Sequence, residues 1–392
     1  MMAMVTNTGK RLRTFHLLRR LTAEFEIHLL VHANGATPEA VRLAAAEGLQ
    51  VHDSGDSLPG KRGLGFYGRL AANLVSPLPY SVASHDRRPY RAALRALSAG
   101  QRFDLIHCEW TPYARYREHE DVPWVIAAHN IESEVWRRLA DSAAGAPRHL
   151  FFGLQARRME AFERGVFASS RFATAVSRRD ANRIASWGCP EVTVVPNGVD
   201  LDACRPLPLP GEGRELVFVG SMDWRPNQDA VLWFISAIHP RLRALTDYRL
   251  TIVGRNPPAT LTEAARRWPE IRVEGEVADV RPHLARAAVA VVPLRVGGGS
   301  RLKILEAMAC GRPVVSTTVG AEGLEVEDGR EIVLADEPAD FAGRVFELLR
   351  DPGRREAMAA AGRHFVEEKH GWEQVARLQA AAWTRALAGR DR

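Results

Sequence analysis

The chain has 392 residues, 46% of them hydrophobic and 26% charged, a length and composition suited to two globular domains. No apolar run approaches the ~20 residues of a membrane-spanning helix. The four cysteines, Cys108, Cys189, Cys204 and Cys310, lack metal or redox spacing, as expected of a reduced, cytoplasmic protein without a metal cofactor. Residues 1–196 carry 26 Lys and Arg against 19 Asp and Glu, whereas 197–392 carry 27 against 28, so the positive charge belongs to the first half. No aromatic–basic motif accompanies that charge. It argues against nucleic acid and fits an anionic membrane surface better, with a plain solvated face as the alternative.

In chain order, Leu12, Phe15, Leu18 and Leu21 fall at helical spacing and predict an amphipathic helix, with only Met1–Val5 ahead of the Asn7–Lys10 turn. Glu26–His32 and Leu49–His52 read as apolar strands with a helix over 37–48 between them, which argues for a parallel sheet. Residues 53–85 are expected to be irregular. There Leu64, Phe66, Tyr67, Leu70, Leu74 and Val75 lie beside Lys61, Arg62 and Arg69, a mixture suited to a membrane or lipid acceptor. Arg88–Leu97 is a helix, and Phe103–Cys108 a strand ending in Glu109 and Trp110. The strand Pro123–Ala128 places His129 and Asn130 at its carboxyl end, where open α/β sheets bind ligands. Glu132 reads as a cap for the next helix or as an acceptor contact. A long helix over Ala146–Val166, a strand at Phe172–Ala175, a helix capped by Ser177 and a strand at Val192–Val195 complete the first domain. Asn197-Gly198 reads as a turn with φ > 0.

Residues 203–213 form a Pro/Gly linker, and the β-α rhythm then restarts. Leu216–Gly220 is a buried strand followed by Ser221, Arg225 and a helix from Pro226 and Asn227. Arg249–Val253 and Ile271–Glu274 are further strands, the latter leading through Gly275 to Val277. Glu331–Leu334 is a short strand, Asp340–Leu349 a helix and Glu373–Leu387 the last helix.

The most informative stretch is Val289–Thr317. Ala288–Leu294 is a buried strand; Gly297, Gly298 and Gly299 break it; Ser300 caps a helix that Gly311 and Pro313 stop; Val314 and Val315 open the next strand. Three residues without Cβ atoms let a phosphate approach the backbone, and a helix N-terminus offers free N–H groups. Arg301 and Lys303 put cations at the end the helix dipole disfavours, which points to an anionic ligand. Glu306 lies about 9 Å further along the axis, within reach of a ribose. Leu302 stands where a P-loop or a dinucleotide motif needs glycine.

GGGSRLKILEAMACGRPVV resembles the nucleotide-sugar signature of retaining glycosyltransferases of family 4, which have the GT-B fold: α/β, two Rossmann-like β/α/β domains facing across a cleft. The resemblance implies domains at 1–196 and 197–371, with 372–392 as a helix crossing back to the first. It places Glu306 on the ribose. Gly298 takes the position of the family's other glutamate, near the donor sugar. This glycine-rich version is similar to bacterial sugar transferases of exopolysaccharide clusters, including those linked to the PEP-CTERM/exosortase system. GKRLRTFHLL resembles the stretch after the family's first loop, so Gly9 and Lys10 join the donor set. The first strand is then expected to be missing through a late start codon, or replaced by a stub at Met1–Val5. His129 would face the donor sugar. The Pro196–Val199 tetrad, with Asn197, would mark the domain junction. Ser221 and Asn227 stand where two basic residues usually hold the diphosphate, with Arg225 as a substitute, and backbone near Val277 would meet the base.

The reading is an enzyme, a glycosyltransferase that moves a sugar from a nucleotide diphosphate sugar to a glycan or lipid-linked acceptor hydroxyl at the inner membrane face, without cofactor. A nucleotide-sugar epimerase of similar fold and a non-catalytic sugar-nucleotide-binding relative stay open as alternatives.

Overall fold

A computed structural model describes residues 9–35, 37–60, 63–118, 122–143, 145–211, 213–296 and 302–389. The chain divides into two compact units, residues 1–196 with 375–392, and residues 197–374. The expectations for the first strand, Lys61, Arg62 and the Gly297–Arg301 turn fall outside the described residues, as do the side chains of Gly9 and Lys10.

The first unit alternates helix and strand: α1 (Gly9–Leu21), β1 (Ile27–Val31), α2 (Pro38–Ala46), β2 (Leu49–Asp53), α3 (Leu64–Asn73), α4 (Tyr80–Ala83), α5 (Arg88–Gly100), β3 (Ile106–Cys108), β4 (Trp124–Ala128), α6 (Glu132–Asp141), α7 (Ala146–Ala168), β5 (Phe172–Ala175), α8 (Arg178–Ser186) and β6 (Glu191–Val194). Local chemistry sets several of these bounds. Thr37 and Ser177 cap α2 and α8 through hydroxyls that accept from Ala40 N at 3.2 Å and Asp180 N at 3.1 Å. All pairings are parallel, but they form two separate sheets, β1-β2 and β3-β4-β5-β6. A cavity of about 490 Å³ is lined by His28, Leu29, Leu30 and Val31 of β1 and by the whole of β3, with Phe15 and Leu18 of α1.

Residues 53–85 are not irregular as the local sequence suggested, because they contain α3 and α4. A distant side chain organises them. Gln155, fully buried on α7, donates to Asn73 Oδ1 at 2.9 Å and accepts from Tyr80 N at 2.7 Å.

The second unit contains β7 (Glu215–Val219), α9 (Arg225–Trp233), a π-helical turn over Phe234–Ile238, α10 (His239–Arg243), β8 (Arg249–Val253), α11 (Ala259–Arg266), β9 (Ile271–Gly275), α12 (Arg281–Arg286), β10 (Val289–Val292), α13 (Leu302–Ala309), β11 (Val314–Ser316), α14 (Thr318–Ala321), β12 (Val333–Leu334), α15 (Pro338–Arg350) and α16 (Pro352–Lys369). Its one parallel sheet runs β12-β11-β10-β7-β8-β9, the doubly wound order with its switch point between β7 and β10. Every residue of β10 is buried, as a central parallel strand requires. The linker is held along its length. Leu207 N donates to Cys310 O at 3.1 Å, the buried Arg312 guanidinium donates to Leu207 O and to Pro208 O, and Arg355 donates to Gly211 O at 3.0 Å.

Asn197-Gly198 is also not the positive-φ turn expected, since neither residue has φ > 0. Gly198 serves close approach instead. A Cβ there would sit 2.4 Å from the indole of Trp372, and Asn197 O accepts from His370 Nδ1 at 2.8 Å. Trp372 opens the last helix, α17 (Trp372–Ala388), which counts with the first unit from Val375 onward.

Candidate functional site

In the second unit the switch point is built from the carboxyl ends of β7 and β10. Gly220 follows β7, with its N–H on Val253 O at 2.9 Å. The buried Asn227, in the first turn of α9, donates from Nδ2 to Ser221 O at 2.7 Å. Its Oδ1 accepts from Lys303 Nζ at 2.6 Å. That ammonium also lies 4.5 Å from the ring centroid of Phe218 on β7. A Cβ on Gly220 would fall 2.8 Å from Asn227 Nδ2 and 2.9 Å from Lys303 Nζ, so a side chain there would displace these two polar ends. Lys303 of α13 therefore brings its charge to the turn after β7, the place where the sequence has Ser221 and Asn227 instead of basic residues.

Glu306 lies one turn along α13 from Lys303 and is half-buried. Burial pushes its carboxyl up to about 7, opposed by the charge of Lys303. Among the described residues its carboxylate has no hydrogen-bond or ion-pair partner, so it keeps its accepting capacity. Arg225 stands exposed at the start of α9. Gly275, with φ of +75°, ends β9, and Val277 packs partly buried on the core beyond it.

A second polar group at this end was missed by the sequence reading. Asp223 receives Asn256 Nδ2 at 2.9 Å and Arg255 Nε at 2.8 Å, and Arg255 Nε also reaches Ser221 Oγ at 3.2 Å. The Asn256 hydrogen bond holds Asp223 below the usual carboxylate range, with Ser221 and Arg255 adding to it against the effect of burial. Asn256 adopts φ of 54°, a left-handed conformation that among non-glycine residues Asn tolerates well. Arg255-Asn256 directly after a strand-ending glycine was the available signal.

In the first unit, His129 and Asn130 follow β4 as expected, with His129 buried and Asn130 half-buried. His129 Nε2 lies 2.6 Å from Glu109 O and 3.2 Å from Glu109 Oε1. Glu109, just past β3, also accepts from Thr14 Oγ1 at 2.8 Å and faces His107 Nε2 at 2.9 Å. Burial would raise this carboxyl, but hydrogen bonds from His107 and His129 outweigh it and hold it well below its ordinary value. The buried Arg13 adds a cation nearby while donating to Val195 O at 2.9 Å and Pro196 O at 2.5 Å. Glu132 neither caps α6 nor offers a free carboxylate. It accepts from Trp110 Nε1 at 2.7 Å, while Glu163 of α7 takes the helix N–H groups of Glu132 and Ser133 at 2.7 and 3.1 Å. Burial lifts Glu163 to about 7.

Among the described residues no group of His, Cys, Asp and Glu is arranged to hold a metal, and no helix is long and apolar enough to cross a membrane.

Two Rossmann-like α/β halves, one with a cation delivered to its switch point, define a protein of GT-B type. Sequence profiles agree: residues 13–203 match glycosyltransferase family 4 and residues 213–351 match the group 1 glycosyl transferases. The chain belongs to the family 4/group 1 glycosyltransferases, and it is an enzyme of that kind. It is 27% identical over 340 residues to a D-inositol 3-phosphate glycosyltransferase of Salinispora tropica, covering 79% of this chain and 69% of the relative. A phosphatidyl-myo-inositol mannosyltransferase of Mycobacterium leprae is 32% identical over 191 residues, covering 46% and 50%. Among solved structures, sucrose-phosphate synthase from Thermosynechococcus elongatus superposes with a TM-score of 0.66 at 17% identity over 93% of this chain and 99% of that one. Anabaena Alr3699/HepE in complex with UDP superposes with a TM-score of 0.67 at 15% identity, covering 97% of each chain.

Proposed function

We propose that the protein transfers a sugar, with retention of anomeric configuration, from a nucleoside diphosphate sugar to a hydroxyl of a lipid-linked or glycan acceptor at a membrane surface, in exopolysaccharide or other cell-surface glycan synthesis. The observation that carries this is Lys303, held by Asn227 beside the Gly220 turn with Glu306 one turn further along the same helix. A diphosphate at that turn meets the ammonium, with Arg301 and the backbone of Gly297, Gly298, Gly299 and Ser300 as further donors. Glu306 takes the ribose hydroxyls. Leaving-group charge grows in the transition state, so fixed cations there accelerate transfer. His129 and Asn130 contact the donor sugar, Gly275 and Val277 the base, and Gly9, Lys10, Asn197, Ser221 and Arg225 complete the donor set. No metal or cofactor is assigned a role.

The acceptor class is supported by the curated relatives, whose names specify inositol 3-phosphate and phosphatidyl-myo-inositol. A membrane surface is supported by α3 and the residues after it, where Leu64, Tyr67, Leu74 and Val75 are exposed. No Asp or Glu occurs from Ser57 to His85, so an anionic lipid surface meets no like charge from that stretch.

The test is incubation with a panel of nucleoside diphosphate sugars and lipid-linked, cyclitol and glycan acceptors. Nucleoside diphosphate release that depends on an acceptor, with an α-product from an α-donor, is expected. Inverted product, or epimerised donor with no release, overturns the reading. Co-sedimentation with vesicles should rise with anionic lipid, fall with salt and drop for Leu64→Asp.

A further inference from the structure

Glu109 has no part in the donor chemistry above, yet side chains from α1, β3 and the end of β4 converge on it, and α17 reaches it through His107. Thr14 of α1 donates to Oε1, His107 of β3 faces Oε2, and His129 after β4 faces both Oε1 and the main-chain oxygen. From α17, Trp383 Nε1 donates to His107 Nδ1 at 3.1 Å.

These contacts determine where two imidazole protons sit. An indole N–H only donates, so His107 Nδ1 carries a lone pair and its proton is on Nε2, directed at Glu109 Oε2. His129 Nε2 meets a carbonyl oxygen and an ionised carboxylate, which only accept, so Nε2 carries a proton. A carboxylate has enough lone pairs for Thr14, His107 and His129 together; a Gln amide would turn its NH₂ toward one of those donors.

We propose that Glu109 is a positioning residue for glycosyl transfer, which holds the His129 imidazole with Nε2 protonated and its ring fixed against the end of β3. The inference rests on the reading of His129 as a donor-sugar contact. Glu109 acts through its charge and geometry and not as a base: its low proton affinity suits a fixed anion. Arg13, the cation beside it, is bound to the carbonyl oxygens of Val195 and Pro196 and leaves the carboxylate to the two histidines and Thr14.

The experiment compares Glu109→Gln, Glu109→Asp and His129→Ala in the full chain, by steady-state kinetics with a nucleoside diphosphate sugar, calorimetry with the nucleoside diphosphate alone, and nitrogen-15 NMR of the His129 ring. Glu109→Gln should lower kcat/KM for the sugar donor by about 10-fold to 100-fold, as expected for losing a hydrogen bond to a charged group. It should leave nucleoside diphosphate affinity unchanged and move the His129 Nε2 signal from its parent position, with the main-chain carbonyl of residue 109 keeping the proton on Nε2. Glu109→Asp, which keeps the charge, should recover part of the loss. If Glu109→Gln does not fold, Thr14→Val removes one donor from Oε1 and should produce a smaller loss of the same pattern. A defective His129→Ala beside a Glu109→Gln that turns over like the parent, or that keeps the parent NMR signature, overturns the inference alone. A His129→Ala that turns over like the parent removes the sugar-contact reading and the inference with it.

Discussion

The two units solve the same architectural problem differently. In the second, β7 is central: it pairs with β8 on one side and β10 on the other, and its carboxyl end carries the Gly220 turn that receives Lys303. In the first, the corresponding place lies between β1 and β3, whose facing edges are joined by no strand among the described residues and enclose the 490 Å³ cavity. His32, directly after β1, shows the consequence, for it is buried and neither ring nitrogen has a hydrogen-bond partner among the described residues. Burial accordingly disfavours its charged form. A central strand both saturates its neighbours' backbone groups and supplies the turn on which a ligand sits. Without one in the described structure, the polar cluster of the first unit is assembled from the ends of β3 and β4.

The largest expected effect tests the second unit's switch point. Lys303→Met should reduce kcat by about 10²-fold to 10³-fold, the usual loss for one transition-state donor. Asn130→Ala in the first unit should cost far less. Comparable losses would erase the functional asymmetry between the units. Glu306→Ala should weaken nucleoside diphosphate binding by about 10-fold to 100-fold, since it removes charge-assisted hydrogen bonds to the ribose. The Glu306 carboxyl is raised to about 7, and only its ionised form accepts from both hydroxyls. Affinity measured by calorimetry should therefore rise as pH increases from 6 to 8 and become flat in Glu306→Gln. A slope that survives the substitution assigns the titration to another group.

Packing supplies the next contrast. A Cβ on Gly254 would lie 1.9 Å from Gly220 O, whereas Gly60 has open space. Gly254→Ala should destabilise by about 3 kcal/mol or more in urea, and Gly60→Ala by under about 0.5 kcal/mol. Equal shifts would mean that the turns after β7 and β8 approach each other less tightly than the geometry requires. The smallest effect is in hydrogen exchange. Amides of β1 and β3 that face the cavity should exchange at least about tenfold faster than those of β7 and β10, because open edges exchange through smaller openings. Matching protection would show that a strand occupies the cavity in solution.

Much of the fold was legible locally. Alternating strand and helix periods, the cap at Ser177 and the continuous apolar runs of β10 and β4 need only nearby residues, because burial on both faces leaves its mark on every position of a parallel strand. The Lys303 and Glu306 positions were legible from helical spacing after a glycine-rich turn. The rest depended on contacts between distant segments. Nothing near residue 64 announces that Gln155 will organise α3 and α4, nothing near Asn197 that an indole from residue 372 will take the space over Gly198, and nothing near Glu132 that its carboxylate goes to Trp110 while Glu163 takes the helix N–H groups. Lys303 is the clearest case. Its sequence position predicts a cation near a helix start, but only the parallel neighbourhood of β7 and β10 brings that ammonium to Asn227 and the Gly220 turn. Periodicity records which face of an element is buried. It carries no record of which distant side chain completes a polar site, because that choice is made by strand order, and strand order is set by the summed burial of the whole sheet.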